Sequence, residues 1–95
     1  MKSIVQTDLD YCFYCQGNPT DTHHIFGASN RKLSDEDGLV IRVCRNCHNK
    51  LHNGPGSADL SRKLRQLAQT KWEANYKCDG DPRTAFMLRY GRNWK

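Results

Sequence analysis

The sequence predicts a small α+β domain that depends on bound metal for part of its stability. Three observations favour this class: a chain of only 95 residues, two Cys-x-x-Cys pairs, and short strand-like segments followed by helical ones. Only 37% of the residues are hydrophobic, and the mean hydropathy is −0.86. Since a chain of this size buries only roughly 60–65% of its unfolded surface, a large enzyme core is excluded.

Two segments have the β-branched and aromatic composition of strands. These are residues 22–26 (THHIF) and residues 39–43 (LVIRV), of which the second is the stronger. The segment between them, 28–38, is polar and predicts a loop. Residues 1–10 predict a poorly ordered lead-in.

Two helices are predicted directly after the second strand. Residues 45–53 predict a short helix, which a Gly- and Pro-containing stretch ends. Ser57 is the predicted N-cap of a longer helix to about Tyr76. Its apolar side chains recur at helical spacing, at Leu60, Leu64, Leu67, Ala68 and Trp72.

A last short helix is predicted to begin at Asp81-Pro82 and to end at Gly91. Ala85, Phe86 and Leu88 are its expected inward side chains. The sequence contains no repeat and no low-complexity tract.

The cysteines indicate a structural zinc site. Four of the five form the two Cys-x-x-Cys pairs, Cys12 with Cys15 and Cys44 with Cys47. Two such pairs supply the four thiolates of a closed tetrahedral zinc site, which contributes folding energy directly. The alternatives are a redox pair or disulfides. An odd cysteine count, no export signal and no βαβ pattern favour zinc, and Cys78 is left as a free thiol.

The four histidines predict a second metal site. His48 and His52 are four residues apart, so a helix places them on one face. His23 and His24 are adjacent, and neighbouring strand residues point to opposite faces. One of the two can join His48 and His52 at a metal ion, leaving open positions that mark a catalytic site. The alternatives are polar surface histidines, or one histidine replacing a cysteine at zinc.

The charge of the chain favours a polyanionic partner. The formal net charge is +5, and 14 of the 15 basic residues lie in residues 31–95. Nucleic acid is the first expectation for such a chain, and a solvated basic surface is the alternative. On the long predicted helix, Arg62, Lys63 and Arg65 are the expected contacts to backbone phosphates.

The order of these motifs resembles the HNH endonucleases, which have the ββα-metal (His-Me finger) fold. The resemblance rests on Cys-x-x-Cys, the His-His pair before a strand, and a strand that runs into CRNCH with His52 beyond. It covers residues 11–53, and residues 57–95 are then a C-terminal helical extension. The wider pattern, from HHIFGASNRK to GRN, also resembles short phage and prophage proteins of this type.

The resemblance implies roles for individual residues. His23, His48 and His52 would bind one catalytic divalent metal ion, which could be Mg²⁺, Mn²⁺, Ni²⁺ or Zn²⁺. His24 would be the general base that activates water for hydrolysis of a DNA phosphodiester, giving 5′-phosphate and 3′-hydroxyl ends. Arg31 is the candidate to clamp a neighbouring phosphate, and an exposed loop charge is its alternative.

The sequence departs from the family at the middle Asn of the motif. Family members carry an Asn about nine residues before the metal-binding histidine, where this chain has Leu39. Asn30 or Asp37 are the candidate substitutes. This departure favours the alternative function, a non-catalytic zinc-stapled DNA-binding or adaptor module of the same fold.

The expected cofactors and partners follow from the endonuclease interpretation. They are a structural Zn²⁺, one catalytic divalent ion and DNA, with a homodimer and contacts to other phage or host proteins left open. No apolar run is long enough to span a membrane, and the N-terminus lacks the apolar core of a signal peptide. The expected location is the cytoplasm.

Overall fold

The computed structural model describes residues 2–95, which form two strands and four helices. In chain order these are β1 (Asp21–His24), α1 (Arg31–Glu36), β2 (Val40–Val43), α2 (Arg45–His52), α3 (Ser57–Ala74) and α4 (Pro82–Tyr90). A single 3₁₀ turn, Ala28–Asn30, precedes α1. The chain is a small α+β fold, as the sequence predicts.

The two strands form an antiparallel sheet. Asp21 pairs with Val43 at one end and His24 pairs with Val40 at the other. Both strands are slightly shorter than predicted, although the Ile25 N–H still donates to the Leu39 carbonyl at 3.0 Å beyond the sheet. The apolar side chains of β2 are fully buried because helices cover one face and the N-terminal segment lies along the strand.

Residues 2–13 cover the free edge of β2. The Ser3 hydroxyl donates to the Val40 carbonyl at 2.6 Å. The Arg42 N–H donates to Gln6 Oε1 at 2.7 Å, and the Phe13 N–H donates to the Arg42 carbonyl at 2.9 Å. These bonds satisfy a strand edge that would otherwise be open to pairing. Residues 3–6 therefore lie against the sheet, whereas the sequence predicts a poorly ordered lead-in over residues 1–10.

A short helix, α1, occupies most of the segment 28–38 that the sequence predicts as a loop. Its anchor is Ser34, which is fully buried. The Ser34 hydroxyl donates to the Leu39 carbonyl at 2.6 Å and accepts from the Phe26 N–H at 3.3 Å. Tertiary hydrogen bonds, which local sequence does not reveal, stabilise this helix.

The Asp37 carboxylate fastens the helical extension to the turn after α1. Arg89 Nε donates to Asp37 Oδ2 at 2.7 Å and Arg89 Nη2 to Oδ1 at 2.9 Å. The Tyr90 hydroxyl at 2.6 Å and Trp72 Nε1 at 2.9 Å also donate to Oδ2. Burial raises the pKa of Asp37, but these donors outweigh burial and lower that pKa below its usual range.

The two longer helices differ from the prediction at three positions. Gly56, with a φ of 82°, is the N-cap of α3, and Ser57 is its first helical residue. The helix ends at Ala74, before Tyr76. In α4, Leu88 is 83% exposed, and the inward side chains are Phe86 and Tyr90.

Side chains from the sheet, α2, α3 and α4 meet in one core. Its members are Cys12, Ile25, Phe26, Leu39, Ile41, Val43, Cys47, Leu51, Leu64, Ala68, Phe86 and Tyr90. Two of the four paired cysteines therefore belong to the core. Within residues 2–95, no helix is long and apolar enough to cross a membrane.

We expect Ser34→Ala to lower the free energy of unfolding by about 1–3 kcal/mol, because it leaves the buried Phe26 N–H without its partner. Urea unfolding with zinc present measures this change. Ser29→Ala, an exposed serine in the preceding turn, is the control and should change the value by less than about 0.5 kcal/mol. Equal effects of the two substitutions would contradict the anchoring role of Ser34.

Candidate metal centre

The four paired cysteines converge on one point. Their sulfur atoms all lie within 4.8 Å of one another, and we call Cys12, Cys15, Cys44 and Cys47 the thiolate cluster. The first pair lies in a tight loop that the Cys12 N–H closes by donating to the Gly17 carbonyl at 2.7 Å. The second pair lies at the start of α2, where the Cys44 sulfur caps the helix by accepting from the Cys47 N–H at 3.4 Å.

The electrostatics of the thiolate cluster suit a cation. Burial raises the pKa of Cys12, but backbone hydrogen bonds from Cys15 and Cys44 outweigh burial and lower it to about 6. Burial and the neighbouring sulfurs raise the pKa of Cys47 to about 12, because a second thiolate would lie beside the first. A divalent ion removes this conflict, so the cluster is a site that could hold a structural zinc.

Three of the four histidines also converge. The ring of His23 lies 5.2 Å from that of His48 and 5.4 Å from that of His52, and the last two rings are 5.0 Å apart. One nitrogen of each ring lies within 4.8 Å of the others. We call these residues the histidine cluster. His48 and His52 lie one turn apart on α2, as the i, i+4 spacing predicts, and β1 contributes His23.

The histidine cluster is neutral at its buried end. His23 is only 9% exposed, and burial, followed by the nearby His48 and His52, lowers its pKa to about 4. A neutral imidazole keeps the lone pair that metal binding requires. His52 is exposed at the opposite end, so the cluster opens to solvent.

Asp21, which the sequence pattern does not single out, orients one of the histidines. Asp21 Oδ2 lies 2.9 Å from Nδ1 of His48, and the Arg45 guanidinium donates to both carboxylate oxygens. The hydrogen bonds from Arg45 and His48 hold the pKa of Asp21 well below its usual range. A carboxylate can only accept, so Nδ1 of His48 carries the proton and Nε2 is left for a metal ion.

His24 does not belong to the histidine cluster: as strand alternation predicts, its side chain contacts α1 rather than α2. Its Nε2 lies 3.2 Å from Asp35 Oδ1 of α1. The candidate substitutes for the middle Asn make other bonds: Asn30 donates to the Tyr90 carbonyl, and Asp37 binds α4. Among the described residues, Asp35 therefore contacts the His24 ring. Because the sequence predicts a loop over 28–38, it gives no reason to place Asp35 beside His24.

The predicted phosphate contacts lie in two places. Arg31 lines an open depression of about 600 Å³ together with His24 and Lys32. On α3, Arg62 and Lys63 both form ion pairs with Asp59, so one local carboxylate already offsets part of their positive charge. Arg65 instead places its guanidinium carbon 4.8 Å from the centre of the Trp94 ring.

We expect Cys44→Ser to lose the bound zinc and to unfold the chain, because it removes one of four ligands and the cap of α2. Zinc content per chain and circular dichroism measure the two effects. Cys78→Ser is the matched control: Cys78 is exposed, lies outside the thiolate cluster, and should leave both readouts unchanged. A Cys44→Ser protein that stays folded without zinc would refute the site.

Comparison with protein-family models, with curated proteins and with solved structures found no match.

Proposed function

We propose that this protein is a metal-dependent endonuclease or nickase of the HNH, ββα-metal type, which hydrolyses phosphodiester bonds in DNA. The observation that carries this proposal is the histidine cluster, open to solvent at His52, beside a fourth histidine that is paired with a carboxylate. A purely structural site has no use for a solvent-open face or for a neighbouring base.

The two clusters differ in the way that structural and catalytic metal sites differ. The thiolate cluster offers four ligands and two of its cysteines are buried, so it can close around zinc. The histidine cluster offers three nitrogen ligands, and its exposed end at His52 leaves positions for solvent and substrate. A divalent ion bound there would neutralise charge on a phosphate group during hydrolysis.

His24 is the proposed general base. In the neutral ring, Asp35 can only accept from Nε2, so Nδ1 of His24 keeps a lone pair. That nitrogen can take a proton from water while the water oxygen bonds to phosphorus and the bond to the 3′ oxygen breaks. The departing 3′ oxygen takes a proton from solvent. Asp35 acts on His24 alone and is a positioning residue.

The surroundings of His24 favour a phosphate substrate. Arg31 and Lys32 line the same depression as His24. Among residues 2–95, neither forms an ion pair with a carboxylate. A guanidinium matches two phosphate oxygens at once, so Arg31 can hold a phosphate next to the scissile one.

The order of elements is compatible with the ββα-metal layout. β1 carries His23 and His24, β2 runs directly into the second cysteine pair, and α2 carries His48 and His52. The fully buried Leu39 stands where the resembling family has its Asn. This position is the observation that keeps a non-catalytic DNA-binding module as the second candidate function.

We expect the wild-type protein to nick supercoiled plasmid when Mg²⁺, Mn²⁺ or Ni²⁺ is added, and His24→Ala to slow nicking by about 10²–10⁴-fold. The rate of conversion to open circles measures this loss. Metal content should stay at the wild-type value, because His24 lies outside the histidine cluster, and circular dichroism checks that the variant is folded.

Cys78→Ser, purified in the same way, is the control for the effect of an unrelated substitution and should nick as the wild type does. Equal nicking by His24→Ala and the wild type would refute the general base. DNA binding without nicking under any metal would favour the non-catalytic module.

We expect Asp21→Asn to weaken divalent metal binding at the histidine cluster by about 10–100-fold, because His48 loses the carboxylate that fixes its proton on Nδ1. Calorimetric titration of the zinc-loaded protein with Ni²⁺ measures the affinity. His48→Ala is the reference for complete loss of a ligand, and zinc content at the thiolate cluster should not change. Wild-type Ni²⁺ affinity in Asp21→Asn would contradict the orienting role.

A further inference from the structure

We propose that Arg65 and Arg92, held against Trp94, form a binding site for backbone phosphates of duplex DNA beside the depression that His24 and Arg31 line. We call these three residues the arginine–tryptophan patch. The proposal deepens the proposed function by placing the path of the DNA, and it depends on that function for the identity of the partner.

Residues 91–95 are held in a defined position on α3. Gln69, which is fully buried, accepts the Trp94 N–H at 2.8 Å through its side-chain oxygen and donates to Asn93 Oδ1 at 2.7 Å. Gln66 donates to the Trp94 carbonyl at 2.9 Å. The buried Gln69 and its neighbour Gln66 therefore position the indole.

The indole in turn holds two guanidinium groups. The guanidinium carbon of Arg92 lies 3.8 Å from the centre of the Trp94 ring, and that of Arg65 lies 4.8 Å from it. Cation–π contact fixes the planes of the guanidinium groups while their N–H donors stay free for an anion. Ordering these side chains in advance lowers the entropy lost when phosphate binds.

The charges of Arg65 and Arg92 are not balanced locally. Across residues 2–95, neither side chain forms an ion pair with a carboxylate. Arg62 and Lys63, one turn or less away on α3, both pair with Asp59. The patch therefore carries the free positive charge that a phosphate backbone requires, and Arg92 belongs to it although the sequence pattern singled out only α3.

The patch adjoins the depression at His24 through a shared lining residue, Ala28. Arg65 and Trp94 line a second depression, of about 310 Å³, together with Gly27 and Ala28. Ala28 also lines the depression that holds His24 and Arg31. A strand bound along this line would contact Arg31, pass His24 and reach Arg65 and Arg92. The patch would fix the register of the DNA without reading its sequence.

Fluorescence anisotropy tests the proposal with a labelled 20-base-pair duplex and the zinc-loaded full chain, without added divalent ion so that no cleavage occurs. The association constant is measured between 50 and 200 mM KCl. We expect Arg92→Gln and Arg65→Gln each to weaken binding about threefold to tenfold and to reduce the salt slope by about one. Lys77→Gln, which removes the same charge from an exposed position outside both depressions, should change affinity by less than about twofold.

Wild-type affinity and slope in both arginine variants would overturn the proposal, as would an equal loss in Lys77→Gln, which would indicate a general charge effect. Absence of duplex binding by the wild type would overturn it too. These readouts are independent of the nuclease assay. A patch that binds DNA in a protein that never nicks would refute only the proposed catalysis. Nicking that depends on His24 in a protein whose arginine variants bind normally would refute only the patch.

Discussion

The convergence of the two cysteine pairs is the constraint on which the rest of the structure depends. It joins a loop near the N-terminus to the point where β2 becomes α2, and the Cys44 sulfur also caps that helix. The direction of α2 is therefore set at its first turn. Because His48 follows the cluster directly and His52 lies one turn further, the same constraint places both rings opposite β1. The thiolate cluster therefore lies directly beside the helix that carries His48 and His52.

Strand alternation then gives the two adjacent histidines of β1 different surroundings. His23 turns towards α2, loses solvent and becomes a neutral ring, while His24 turns towards α1 and meets a carboxylate. Each side of β1 thus has a histidine held by a different helix. Asp21 accepts a hydrogen bond from Nδ1 of His48, and Asp35 accepts one from Nε2 of His24. The orientation of each of these two rings therefore depends on a carboxylate.

The sequence predicts those features that depend on local pattern, and it misses those that depend on distant contacts. Both strands, the short helix α2 and the meeting of His48 and His52 with one of the two adjacent histidines follow from composition and from spacing of two or four residues. The choice of His23 follows only from the family resemblance. The helix α1 does not, because its six residues are held by Ser34 and by the Tyr90 hydroxyl, which donates to the Leu33 carbonyl. Asp35 was hidden for the same reason. The role of Gln69 was not predicted, because its hydrogen-bond partners, Asn93 and Trp94, are distant from it in the sequence.

The helix α1 also accounts for the leucine that stands where the resembling family has an asparagine. In that family the Asn braces the loop behind the general base. Here the Leu39 backbone makes the hydrogen bonds. Its N–H donates to the Ser34 carbonyl, and its carbonyl accepts from the Ser34 hydroxyl and from the Ile25 N–H. Ser34 reaches across to the Phe26 N–H, two residues beyond His24, and the next residue, Asp35, contacts the His24 ring. Two neighbouring residues of α1 thus hold the backbone and the ring of the proposed base. A side-chain amide at position 39 is not needed for that purpose, and an apolar residue there is free to join the core.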